Sequence, residues 1–257
     1  MASVSTRDIG AGFAKYSTVT SIALKICEVI STAELNDQDA FFHDQLLAWF
    51  DKNKRSFPWR EGVIDPFVSI ITELLLQRTK ADAISDFYPK LLEFYATPSQ
   101  VLDRGKDSII KDLSGLGLQE RRARSILEIA TSIKDEYGGV VPDNEEALLA
   151  LNGVGQYIAR AVLCFAFGKP VSIVDGNVTR VFCRFFNMEN KGDNRRNKHM
   201  WVKGDEIIAI DPARAKELNW GILDLAAIVC TPRNPACVDC YLQRSCYFGK
   251  TIKKEDE

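Results

Sequence analysis

No apolar run in this 257-residue sequence approaches the roughly 18 residues that a membrane-spanning helix needs, so no membrane partner is expected. Low-complexity tracts and internal repeats are also missing, which sets aside array and linker-rich architectures. Alternation of apolar and polar residues at the period of a strand is scarce, which argues against a sheet-based fold. A dominant charge is lacking too: 33 Lys and Arg face 35 Asp and Glu, for a net charge of −2, so bulk electrostatics do not mark a nucleic-acid binder. No secretory signal opens the chain, and its seven cysteines are an odd number, so a disulfide framework is not expected. An intracellular, reducing compartment is the default, cytoplasm or nucleoid in a bacterial or archaeal cell.

What remains is a chain 46% hydrophobic, long enough to bury a full core in one or two domains. Helical periodicity dominates, and the fold class is all-α. Residues 69–79 place Ile70, Ile71, Leu74 and Leu75 on one face, with Glu73 and Gln77 one turn apart on another. Residues 120–137 repeat the pattern and stop at Gly138-Gly139. Asp143 with Glu146 reads as a capping box, and Asp211-Pro212 as the start of a helix running to Cys230. Cys27, Cys164 and Cys183 sit among apolar residues and read as buried and inert. Three basic clusters stand out: Lys52, Lys54, Arg55 and Arg60; Arg121, Arg122 and Arg124; and Arg195, Arg196, Lys198 and Lys203. Each is either a solvated face or a phosphate-contacting one.

The densest chemical signal lies near the C-terminus. Cys230, Cys237, Cys240 and Cys246 follow the pattern C-x6-C-x2-C-x5-C. Four thiolates this close suit a metal centre, either zinc or an iron–sulfur cluster, and the single CxxC pair fits zinc less well. Upstream stand Leu151-Asn152-Gly153-Val154-Gly155-Gln156-Tyr157-Ile158-Ala159 and then Ser172-Ile173-Val174-Asp175-Gly176-Asn177-Val178. In this order the three motifs resemble the helix-hairpin-helix DNA glycosylases that carry a four-iron, four-sulfur cluster, a likeness running from about Phe57 to Cys246. The resemblance implies a two-lobed helix-hairpin-helix fold with a C-terminal [4Fe-4S] loop at 230–246. One lobe would span 63–166 and end in the hairpin. The other would combine 41–62 with 167–257, and residues 1–40 would be an N-terminal extension with one amphipathic stretch at 21–30. A monomer acting on double-stranded DNA is implied, with the four cysteines as cluster ligands.

Each motif then has a chemical task. Gly153, Val154, Gly155 and Gln156 form a tight turn at a helix start, where outward amides grip phosphate without reading sequence. Asp175 is the expected catalytic carboxylate, able to stabilise a sugar cation or activate water, and it can also cap the helix opening near Asn177. Tyr157 stands where some members carry a lysine nucleophile. It cannot form their imine, so a monofunctional glycosylase is expected. Glu73, a charge in an apolar helix, is either a solvent-facing residue or a buried acid or water-positioning base; the resemblance favours the latter. Gln77 and Leu118 would fill the gap left by a flipped base, with Arg78, Gln119 and Asn177 also contacting DNA. Arg233 and Arg244, in and beside the cysteine loop, could meet phosphate.

Two branches share Phe57-Pro58-Trp59-Arg60 and the Glu73 segment. One removes thymine or uracil opposite guanine, the other adenine opposite oxidised guanine. The adenine branch usually has two tyrosines where Leu118-Gln119 stand, and a further C-terminal domain, whereas this sequence ends eleven residues after Cys246. Both departures point to the thymine/uracil branch, although Leu76-Gln77 and Asp175-Gly176-Asn177 look closer to the adenine one. A DNA-binding iron–sulfur protein without catalysis is the remaining alternative.

Overall fold

A computed structural model describes residues 37–192 and 197–252. The stretch at 21–30, Cys27, Arg195 and Arg196 lie outside these residues. The backbone divides after Asp39 into residues 1–39 and a larger unit, 40–257. Among the described residues there is no strand, and no helix is long and apolar enough to cross a membrane.

The helices are α1 (Asp37–Asn53), α2 (Pro66–Leu76), α3 (Ala81–Phe94), α4 (Pro98–Arg104), α5 (Lys106–Asp112) and α6 (Gln119–Tyr137). They continue with α7 (Glu145–Ala150), α8 (Gln156–Phe165), α9 (Gly176–Phe186), α10 (Lys198–Ile208), α11 (Ala215–Ile228) and α12 (Tyr247–Thr251). Short 3₁₀ turns occupy Pro58–Arg60 and Pro212–Arg214.

Local chemistry sets the helix boundaries, and those of three helices differ from the sequence reading. Helix α2 starts earlier than expected because the Asp65 carboxylate accepts from the amides of Phe67 and Val68, with Pro66 in the first turn. It also ends earlier, at Leu76, so Gln77 lies in the turn beyond the helix rather than on it. The cap of α7 is Asn144, whose side chain accepts from the Ala147 amide, and not Asp143. Both residue types cap well, and register decides between them. Asp211 makes no side-chain cap; it precedes a 3₁₀ turn, and α11 ends at Ile228, short of Cys230.

Two apolar cores organise residues 40–252. The first is built on α2 to α8 and also takes in Phe57 and Trp59, stacked 4.7 Å apart. The second packs α1 against α9, α10 and α11, with Leu242 of the cysteine loop. Helix α8 contributes to both: Ile158 and Val162 face the first core, Ala161 and Cys164 the second. Tyr157, at its start, packs against both. Cys164 is fully buried with its thiol pushed up to about 11, and burial also raises the thiol of the half-buried Cys183.

A single carboxylate ties the two cores. Asp224 of α11, with no solvent exposure, accepts from Arg55 Nε at 2.7 Å, Arg60 Nη1 at 2.8 Å and Arg60 Nη2 at 3.0 Å. Arg55 and Arg60 are therefore committed internally and do not form the phosphate face that their clustering suggested. Arg122 departs from the same expectation, being buried among backbone carbonyls. Arg121 and Arg124 are exposed, whereas Lys203 pairs with Glu206 at 2.8 Å.

Candidate active site and DNA-facing surface

The seam between the cores opens as two neighbouring cavities. One, of about 540 Å³, is lined by Glu73, Leu76, Gln77, Arg78, Thr79, Lys80, Tyr157, Asp175 and Asn177. The second, of about 250 Å³, shares Glu73, Tyr157, Asp175 and Asn177. Its aromatic walls are Phe57 and Trp59 from one side and Phe165 and Trp220 from the other. The expected catalytic set and the expected base-stack probe Gln77 therefore face one space.

Glu73 is only 4% exposed on α2, so the solvent-facing alternative is wrong. Its carboxyl is pushed up to about 7, chiefly by desolvation and with a smaller push from Asp175, against the opposing Tyr157 hydrogen bond and Arg60 charge. The phenol of Tyr157 is driven well above its ordinary range by burial and by the two carboxylates. Glu73 Oε2 and Arg60 Nε are both buried without a hydrogen-bond partner among the described residues, and both residues line the smaller cavity. A carboxyl oxygen and a guanidinium N–H are thus left free for a ligand.

Asp175 caps α9. Its Oδ1 accepts from the amides of Asn177 and Val178, each at 2.8 Å, and its Oδ2 from Asn177 Nδ2 at 2.8 Å. Capping and cavity lining coexist, which fixes the carboxylate in place. Asn177 Oδ1 in turn accepts from Arg180 Nη1 at 3.1 Å, and Arg180 donates onward to the carbonyls of Cys230 and Ala226, each at 2.9 Å.

The hairpin turn is split in role. Gly153 is exposed with φ +93, a conformation that favours glycine. Val154 is buried in the first core, and its amide donates to Leu151, so it is a structural member of the turn. Gly155 and Gln156 stand at the accessible start of α8, where helix geometry leaves amides outward. Gln77, Arg78, Leu118 and Gly153 meet in a third cavity of about 180 Å³, together with Arg121 and Ser125. Leu118 is 48% exposed. Gln119, by contrast, opens α6 and lines none of these cavities. Among the described residues, four non-glycine positions have left-handed backbones. Asn187 and Asn234 are of the type that tolerates it; Arg78 (φ +59) and Leu118 (φ +52) are not.

The cysteine loop forms a separate centre. Cys230, Cys237, Cys240 and Cys246 line one cavity of about 30 Å³, walled by Val181, Phe185, Leu225, Val229, Leu242 and Phe248. Arg184 of α9 holds the loop, donating to the carbonyls of Thr231 at 2.7 Å and Pro232 at 3.1 Å and to Cys230 Sγ at 3.4 Å. The Gly249 amide donates to Cys246 Sγ at 3.3 Å. No group of three or more His, Cys, Asp and Glu side chains among the described residues is arranged around a single ion. Four thiols lining one apolar void, with donors aimed at two of them, are the kind of side chains that could ligate a metal centre. Arg233 is exposed, and Arg244 lies over the Phe41 ring at 4.6 Å.

Residues 71–205 match the HhH-GPD superfamily of base excision DNA repair proteins. This chain belongs to that superfamily. A thymine/uracil-DNA glycosylase from Methanothermobacter thermautotrophicus is 36% identical over 84% of this chain and 96% of its own length. An adenine DNA glycosylase from Mycobacterium tuberculosis is also 36% identical, over 77% of this chain and 64% of its own. Among solved structures, a thermostable thymine-DNA glycosylase superposes with a TM-score of 0.78 at 36% identity, covering 84% of this chain and 98% of that one. Membership accounts for the all-helical fold and for the hairpin before Tyr157.

The sequence reading missed Trp220, Leu223 and Ala227, all on α11 and all facing the smaller cavity. It also missed Asp224. The available signal was the one that marked Glu73: a carboxylate inside an apolar helix.

Proposed function

We propose that this protein is a monofunctional DNA glycosylase that hydrolyses the N-glycosidic bond of thymine or uracil mispaired with guanine. The observation that carries the reading is the convergence of Glu73, Tyr157 and Asp175 on one aromatic-walled cavity, in a chain spanning nearly the whole of a thymine/uracil-specific relative. A base turned out of the duplex enters between Trp59 and Trp220. Arg60 Nε donates to a carbonyl of the base, a feature that both pyrimidines present. Glu73, whose raised carboxyl keeps a substantial protonated fraction at neutral pH, gives its proton to the leaving base. Positive charge then builds on the sugar and is met by the Asp175 carboxylate, which the amides of α9 keep in place. Water completes the substitution and returns a proton to the Glu73 carboxylate, because Tyr157 offers no amine for an imine. The gap in the duplex is filled by Gln77 and Leu118, and the hairpin at Gly153, Gly155 and Gln156 grips phosphate.

On this reading, the cores either side of the seam act as the two lobes, and the chain works as a monomer on double-stranded DNA. Cys230, Cys237, Cys240 and Cys246 would hold a [4Fe-4S] cluster, which would supply a covalent cross-link within the C-terminal loop. Single-turnover release from duplexes containing T:G, U:G, A:G and A opposite 8-oxoguanine tests the assignment. The expected result is product from T:G and U:G alone, with strand breaks only after alkali. Release of adenine would move the chain to the other branch, and breaks without alkali would refute the monofunctional assignment.

A further inference from the structure

Gln77 and Leu118 come from different loops, the turn after α2 and the turn before α6, yet one buried side chain holds both. Arg122 Nη1 donates to the carbonyls of Leu116 at 2.7 Å and Gly117 at 2.8 Å. Its Nη2 donates to Leu75 at 3.1 Å, Gln77 at 2.7 Å and the Thr79 hydroxyl at 2.6 Å. The same hydroxyl donates to Leu116, closing a ring between the loops. A guanidinium only 4% exposed is thus spread over main-chain acceptors at the negative end of α2 and in the opposing turn. Arg78 and Leu118, the two uncharacteristic left-handed residues, fall on the segments that this clamp fixes.

We infer that Arg122 is a positioning residue that locks Gln77 and Leu118 into a single two-pronged wedge, so that both enter the base stack in register. The inference rests on the base-excising reading and goes beyond it, because Arg122 touches neither the reacting bond nor the base. Carbonyl acceptors make the clamp specific to arginine: the two terminal nitrogens of its planar fork reach one loop each, whereas the three donors of lysine radiate from one atom.

The test compares wild type, Arg122→Met and Arg122→Lys on a T:G duplex with 2-aminopurine beside the thymine. Fluorescence reports extrusion, alkali-revealed product reports release, and thermal melting checks the fold. Arg122→Met is expected to slow extrusion and release in parallel by about tenfold, equivalent to ~1.4 kcal/mol of barrier. Arg122→Lys should fall between it and wild type. Should the methionine variant fail to fold, the lysine variant decides alone by the same parallel loss. Slower release with unchanged extrusion, or no change in either, would overturn the inference. Extrusion by the wild-type chain with no release of any base would instead sink the proposed function and leave the Arg122 comparison intact.

Discussion

Glu73 and Asp175 are two carboxylates that line the same cavities but differ in solvation. The first is enclosed by apolar side chains; the second is anchored by backbone amides at a helix start. Asp175→Asn keeps a capping oxygen but loses the charge. Base release should therefore fall by roughly a hundredfold or more in single turnover, while duplex affinity stays within a fewfold. Glu73 carries a pH signature. Release should decline as pH rises through about 7, where the proton is lost, and Glu73→Gln should be slow and flat across that range. Stability follows the same sign. Because the folded carboxyl titrates above its ordinary 4.5, wild type should lose stability relative to Glu73→Gln between pH 4.5 and 7. The expected loss is on the order of 3 kcal/mol, read by urea melts at pH 5 and pH 8. Glu73 was legible in the sequence because a charge interrupts an apolar run. Its hydrogen bond to Tyr157 was not, since 84 positions separate the two in the chain.

Helix α9 is the element that relates the two chemical centres. Asp175 and Asn177 stand at its start, and Arg184 in its last turn grasps the cysteine loop. Arg184→Ala removes donors to three carbonyls and a sulfur, a change of about 1–3 kcal/mol in the loop. Visible absorbance and iron per chain should drop in that variant, with α-helical content preserved by circular dichroism. Full iron retention would show that the loop closes without this arginine. The bounds of α2 were legible to within three residues from its apolar periodicity, while its start at Asp65 and Pro66 went unread. Which of Asp143 and Asn144 caps α7 was not, because both have the right chemistry and only the backbone register separates them. The grouping of the four cysteines needed no tertiary knowledge, since they lie within one short loop.

At the scale of the molecule, Asp224 binds the Phe57–Arg60 segment to α11 across the seam. Asp224→Asn should lower global stability by about 3–5 kcal/mol, because two cations lose a buried counter-charge, and urea unfolding would register it as a lower midpoint. This latch explains why the first basic cluster misled the sequence reading: local charge density does not reveal a carboxylate 164 residues away. The cleft itself was equally invisible, being a gap between cores whose walls come from five separate stretches of chain. The left-handed backbones at Arg78 and Leu118 carry a different message, one about descent. Each holds a side chain where glycine or asparagine would sit more comfortably, at roughly 1 kcal/mol apiece. Selection for durability alone would erase both. A lineage that kept this fold but no longer opened duplexes should drift to glycine or asparagine at 78 and 118 before its cores change, so these two positions date the loss of the trade.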